Sequence, residues 1–203
     1  MAIKNIIFDL GGVLIDIDYH KTSAAFKRLG VKNFDEQYSQ AGADKLFEAL
    51  ETGTITDGEF FARMHPYCDP ATTHQQIEDA WNEILLSFRL PSLAFLDSVK
   101  DKYRIFLLSN TNSIHKRAFD IILKNETGFD SLDHYFIKSY YSHLLHQRKP
   151  YVTTYRFVLE DGEMQAEETL FIDDSPVNIE GAREAGLQTH LLLPSEKIES
   201  LGL

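Results

Sequence analysis

The stretch Ile3-Lys4-Asn5-Ile6-Ile7-Phe8-Asp9-Leu10-Gly11-Gly12-Val13-Leu14-Ile15 decides how the rest of the chain is read. Its apolar run Ile6-Ile7-Phe8 is too short for a helix and has no polar alternation, so it reads as a strand buried on both faces. A carboxylate and a Gly-punctuated turn end it. Such a strand needs parallel neighbours, and the chain after Pro91 supplies them. Helices are expected over 91–102, 113–124, 151–159 and 176–185, and strands over 104–108, 135–139, 169–172 and 189–193. Strict alternation implies right-handed crossovers and an α/β fold with a parallel sheet.

Between these two parts the texture is helical. Phe26 and Leu29, then Leu46, Phe47 and Leu50, then Phe60, Phe61 and Met64, then Ile77, Trp81, Ile84 and Leu85 recur at three- and four-residue spacings, and no strand is expected among them. The organisation expected is therefore a core of residues 1–18 and 89–203 with a helical insert over 19–88. Thr56-Asp57-Gly58-Glu59 fits a capping box, Ser175-Pro176 an N-cap followed by a first-turn proline, and Gly186 a helix stop.

Composition narrows the function. Twenty Lys plus Arg against thirty-one Asp plus Glu leave a formal charge of −11, which repels phosphate backbones and anionic membrane surfaces. Neither nucleic acid nor membrane is expected as a partner, and no obligate protein partner is evident. Cys68 is the single cysteine, so no intrachain disulfide forms, and the reading is cytoplasmic. No apolar run approaches the ~18 residues of a membrane span, and no targeting address is visible.

Four polar features each stand at a strand end or open the following helix: Asp9, Ser109-Asn110, Lys149-Pro150 and Asp173-Asp174. In an open parallel sheet such positions share one edge, where ligands bind. Three carboxylates with no His or Cys beside them are hard oxygen ligands suited to Mg²⁺. A hydroxyl, a lysine and free N–H groups after a strand suit a phosphate. Metal, phosphate and a spare carboxylate together describe phosphoryl transfer.

Four stretches, in order, resemble the haloacid dehalogenase-like hydrolases with a helical cap inserted after the first motif. They are Ile6-Ile7-Phe8-Asp9-Leu10-Gly11-Gly12-Val13-Leu14, Leu107-Leu108-Ser109-Asn110-Thr111-Asn112, Arg148-Lys149-Pro150, and the run from Phe171 through Asp173-Asp174-Ser175-Pro176 to Ala182. The resemblance implies a Rossmann-like doubly wound sheet with a four-helix-type cap of the C1 kind, and Mg²⁺-dependent hydrolysis of a small phosphorylated metabolite. It implies Asp9 as nucleophile, Ser109, Asn110 and Lys149 as phosphate-binding residues, and Asp9, the Gly11 carbonyl, Asp173 and Asp174 around the metal. Asn178, in the first turn of the helix after Asp173-Asp174, is read either as a partner of those carboxylates or as an ordinary first-turn residue.

One departure bears on mechanism. Most phosphatases of the family carry a second Asp two residues after the nucleophile as general acid and base, and this chain has Gly11 there. The Asp-Leu-Gly-x-Val variant with Ile15-Asp16-Ile17-Asp18 is similar to a subgroup of bacterial sugar-phosphate phosphatases, α-glucose-1-phosphate phosphatases among them. Without that acid, a sugar 1-phosphate is expected to be preferred over its 6-phosphate isomer, because its leaving oxygen is more acidic. Asp16 or Asp18 could supply the proton instead, or their alternation could mark a two-stranded flap. The missing acid also leaves open a silent phosphate-binding protein, and a dehalogenase is the other alternative. His143 and His146 are expected to be loop residues rather than zinc ligands.

Overall fold

The computed structural model describes residues 2–32, 34 and 45–203. The first strand, β1 (Asn5–Phe8), leads through a turn into a short strand, β2 (Ile15–Ile17). A helical segment follows, with α1 (Tyr19–Arg28), α2 (Lys45–Glu51), α3 (Asp57–Met64) and α4 (His74–Asn82). The chain returns through β3 (Leu85–Phe88) into α5 (Leu90–Val99), β4 (Arg104–Ser109) and α6 (Ser113–Thr127). It ends with β5 (Lys138–Tyr141), the short α7 (Ser142–Leu145), α8 (Val152–Asp161), β6 (Thr169–Asp173), α9 (Pro176–Glu184) and β7 (Gln188–Leu191).

Five strands form one parallel sheet in the order β5-β4-β1-β6-β7. The chain therefore winds outward on one side of β1 and then crosses to the other, the doubly wound arrangement. Alternate residues of each strand feed opposite layers. Ile6, Phe8, Ile105, Leu107 and Ile172 pack with Leu93 and Leu96 of α5 and Phe119 and Leu123 of α6. Ile7, Phe106, Leu108 and Phe171 pack with Tyr155 and Val158 of α8 and Ile179 and Ala182 of α9. Burial on both faces is why β1 reads as an unbroken apolar run.

The helical segment has its own apolar cluster, built on Phe26, Phe34, Phe47, Phe60 and Trp81, and Ile114 of α6 inserts into it. Phe47 stacks on Trp81 at 5.3 Å, and Phe26 on Phe34 at 4.4 Å. Thr56 and Glu59 exchange the two bonds of a capping box at the start of α3.

Three local readings need correction. Leu85–Phe88 is a strand, antiparallel to β2; Ile84 and Leu85 fit the helical spacing, but a four-residue apolar run does not distinguish helix from strand until a partner is known. The third sheet strand is Lys138–Tyr141 rather than 135–139, because the turn 132–134 precedes it and Tyr140 and Tyr141 take the buried positions. Ser175 precedes α9 without a side-chain capping bond. Its backbone N–H instead donates to Asp173 Oδ1 at 2.8 Å.

Candidate active site

Register brings the carboxylates together. Phe8 pairs with Ile172 and the Asp9 N–H donates to the Ile172 carbonyl at 2.9 Å, so the next residue on each strand, Asp9 and Asp173, emerges side by side. Asp174 follows directly. One oxygen from each of Asp9, Asp173 and Asp174 lies within 4.8 Å of the others.

Lys149 closes this cluster from beneath. It follows α7, its side chain is only 1% exposed, and its ammonium lies 2.7 Å from Asp9 Oδ1 and 2.6 Å from Asp173 Oδ2. Burial alone would lower its pKa, but the charges of Asp173 and Asp9 outweigh that cost and raise it, so the lysine stays protonated. Burial, then the neighbouring Asp173, pushes the Asp9 carboxyl up to about 8 against the opposing pull of Lys149. Three carboxylates thus share one ammonium. An all-oxygen set whose members resist ionising together fits a small hard divalent cation such as Mg²⁺, which would let all three carboxylates carry charge.

The supporting contacts are specific. Asn178 donates to both oxygens of Asp173 at 3.1 Å, and with Lys149 and the Ser175 N–H it saturates that buried carboxylate. Asp9 and Asp174 carry fewer such bonds and face the open edge. Asn110 was expected at the phosphate, but its side chain donates to the Lys149 carbonyl and accepts from the Lys149 N–H, both at 2.9 Å. Its amide therefore holds the lysine's backbone in place. Thr111 is clamped to Ser142 in the same way, N–H to Oγ at 2.9 Å and Oγ–H to carbonyl at 2.8 Å. Ser109, at the end of β4, is buried beside these braces.

Two glycines permit the close approach. Gly12 has φ +70°, and a side chain there would collide with the Asp174 carboxylate. Gly181 lets α9 lie against the Pro150 carbonyl, where a Cβ would overlap it. Gly11, by contrast, has no positive φ; its place is fixed by a bridge to Ile15.

Asp16 and Asp18 lie apart from the carboxylate cluster's contacts. Asp16 pairs with Arg89 at 2.7 Å, and Arg89 also donates to the carbonyls of Gly12 and Val13. Asp18 caps α1, accepting from the His20 N–H at 2.9 Å. Both carboxylates hold the turn and the ribbon formed by β2 and β3. His143 lies in α7, and His146 bonds through Nδ1 with the Thr52 carbonyl at 2.9 Å.

A cavity of about 80 Å³ is lined by Gly11, which lies two residues after Asp9, by Ser109 and Asn110, and by Ile17, Ile84 and Leu85. The helical segment contributes Tyr19 and Glu51 to its wall, and α6 contributes His115. None of these three was marked in the sequence, because none stands at a strand end. His115 stacks on Trp81 at 4.8 Å, and its Nε2 faces the Trp81 carbonyl at 3.0 Å. Burial lowers its pKa to about 4, so it is neutral. Tyr19 is pushed up to about 12 by burial and by Asp174 and Glu51.

The comparisons agree with this geometry. A family model described as haloacid dehalogenase-like hydrolase matches residues 3–186. A D-ribitol-5-phosphate phosphatase of Bacteroides thetaiotaomicron is 33% identical over 92% of this chain and 90% of its own. A HAD-family enzyme of the same organism, solved with magnesium and inorganic phosphate, superposes with a TM-score of 0.88 at 33% identity over the full length of both chains. A predicted HAD-like hydrolase of Porphyromonas gingivalis superposes at 0.87 with 34% identity, covering 97% of this chain and 94% of its own. With the family model spanning most of its length and the carboxylates gathered at the sheet edge, the chain belongs to the haloacid dehalogenase-like hydrolases.

Proposed function

We propose that the protein is a Mg²⁺-dependent phosphatase of a small sugar or sugar-alcohol phosphate, working through an aspartyl-phosphate on Asp9. The observation that carries this reading is the buried lysine set between Asp9 and Asp173 with Asp174 beside them, a carboxylate set that a divalent cation would balance and so make ready for a phosphoryl group. The similarity to a D-ribitol-5-phosphate phosphatase supports the substrate class.

An oxygen of Asp9 attacks phosphorus; the bond to the leaving oxygen breaks and its electron pair stays on that oxygen. Water then attacks the same phosphorus, loses its proton to solvent, and frees inorganic phosphate and the Asp9 carboxylate. Lys149 and the Ser109 hydroxyl hold the phosphoryl oxygens, and Asn110 keeps Lys149 in position. Asp9, Asp174 and the Gly11 carbonyl, with Asp173 behind them, would hold magnesium, which when bound supplies positive charge against the phosphoryl group. The helical segment over 19–88 serves as a cap that excludes water during attack and selects the organic part of the substrate.

Gly11 offers no acid, and Asp16 and Asp18 are engaged in holding the ribbon. The leaving oxygen therefore departs on its own acidity, which favours a sugar 1-phosphate over a primary phosphate. Phosphate release from a sugar 1-phosphate, its 6-phosphate isomer and ribitol 5-phosphate, each with Mg²⁺ and with a chelator, tests both parts. Release that needs the metal supports the phosphatase. Faster turnover of either primary phosphate ends the 1-phosphate preference, and no release from any substrate ends the phosphatase reading.

A further inference from the structure

We propose that Glu51 is the cap residue that selects the substrate, its carboxylate accepting hydrogen bonds from hydroxyl groups of the organic part and repelling any second anion there. This rests on the phosphatase reading above, and its test separates the two. Glu51 is the last residue of α2, and its side chain is 19% exposed. It shares the cavity wall with Gly11, Ser109 and Asn110, so it faces the same space as the groups assigned to the phosphoryl end.

Its bonding is incomplete. Among the described residues Glu51 Oε2, which is buried, makes no hydrogen bond, and Arg148 Nη2 stands 3.2 Å away as an ion pair. A buried carboxylate oxygen left in that state costs stability unless something else donates to it. Burial first, then Glu48, raises its pKa, while Arg148 and Lys149 pull it down. Arg148 directly precedes Lys149, so the one ion pair ties the cap to the lysine's own loop. Three more contacts fix the same seam: His146 with the Thr52 carbonyl, Tyr151 Oη donating to Glu48 at 3.1 Å, and Gly53 against the His143 carbonyl, where a side chain would not fit.

The ligand chemistry follows from charge and shape. A phosphoryl group is repelled by a carboxylate, so Glu51 must meet the far, organic end of the substrate. The same cavity is lined by Ile15, Ile17, Ile84 and Leu85, aliphatic side chains suited to the C–H face of a carbon chain. A chain with one apolar side and donors along the other is a neutral polyhydroxylated one. Bonds from hydroxyls to a charged acceptor are stronger than neutral ones, and each weakens when the charge is removed. A substrate carrying a carboxylate or second phosphate at that end would lie against the Glu51 carboxylate.

The experiment compares three compounds in the parent, Glu51→Gln and Glu51→Asp: ribitol 5-phosphate, acetyl phosphate, which has no hydroxyl groups, and an aldonic-acid phosphate, which carries a second anion. Gln preserves shape without charge; Asp preserves charge and withdraws it by one methylene. Both variants are expected to lose about ten- to hundredfold in kcat/KM on ribitol 5-phosphate, mainly through KM, and to stay within about threefold of the parent on acetyl phosphate. Gln alone is expected to gain on the aldonic-acid phosphate. Equal losses on ribitol 5-phosphate and acetyl phosphate would mean a role in chemistry or folding and overturn the proposal, as would unchanged kinetics on both. A parent inactive on all three would overturn the phosphatase reading itself.

Discussion

Lys149 Nζ meets Asp173 Oδ2 at 2.6 Å with both side chains shut off from solvent, at 1% and 0% exposure. Asp173 is also held by Asn178 and the Ser175 N–H, so the pair forms a fixed base on which Asp9 and Asp174 face outward. Buried pairs of this kind are weak contributors to net stability but costly to break on one side.

Lys149→Met is therefore expected to lose on two measurements. Asp9 and Asp173 would face each other without a cation between them, lowering unfolding free energy in urea by about 3 kcal/mol or more. Transition-state stabilisation should fall by a similar amount, on the order of 3 kcal/mol. A fall in kcat/KM of less than tenfold would remove Lys149 from the phosphate site.

Asp9→Asn retains the size of the side chain and cannot act as the nucleophile. Turnover should drop by at least about a thousandfold with the circular dichroism spectrum unchanged. Turnover within tenfold of the parent would refute the assignment.

Gly12→Ala strains a left-handed backbone position and drives a methyl group into Asp174. The expected cost is about 1–3 kcal/mol in stability. The Mg²⁺ titration of activity should also move to higher concentration, as it should in Asp174→Ala, which removes a hard ligand outright. A Mg²⁺ midpoint unchanged in both variants would put the metal elsewhere.

His115 links stability to acid. Its folded pKa of about 4 lies below the ordinary value of 6.5, so the unfolded chain binds the extra proton first. Stability from this group is whole above pH 6.5 and is lost as pH falls toward 4, by about 3 kcal/mol at most. Urea unfolding across that window should show the slope in the parent and a shallower one in His115→Gln; equal slopes would place the proton elsewhere.

Asp16→Asn should act on stability rather than on protonation of the leaving group, and Asp18→Asn should change neither. Removing the Asp16–Arg89 pair loosens the turn at Gly12, whereas an Asn at position 18 still caps α1, so at that position Asp18→Ala, not Asp18→Asn, should cost about 1 kcal/mol. Rates across a series of aryl phosphates should fall equally steeply with leaving-group pKa in the parent and in both Asn variants. A flat dependence in the parent that steepens in either variant would restore the ribbon as the proton source.

The alternation of apolar runs and helical spacings was enough to derive the parallel sheet, because a strand buried on both faces has to be apolar throughout, as Ile6-Ile7-Phe8 and Phe171-Ile172 are. The positions of Asp9, Ser109 and Asp173 were legible for the same reason: polar residues at the limits of such strands have only the sheet edge to occupy. Lys149, in the loop after α7, was legible only through its place before Pro150 in order with the other motifs. For Asn178 the sequence left two readings open, a partner of the carboxylates or an ordinary first-turn residue, and its amide donates to Asp173.

What only the tertiary structure decided is how each polar group spends its hydrogen bonds. Asn110 braces Lys149, Asp16 goes to Arg89 across 73 positions of sequence, and Leu85–Phe88 becomes a strand because β2 lies beside it. Tyr19, Glu51 and His115 reach the cavity from helices with no motif to announce them. Strand patterning is local and repeats along the chain, so it can be read from one sequence. A side chain's partner is set by which surfaces meet after packing, and a helix facing the sheet edge brings residues there that no periodicity distinguishes from its other buried positions.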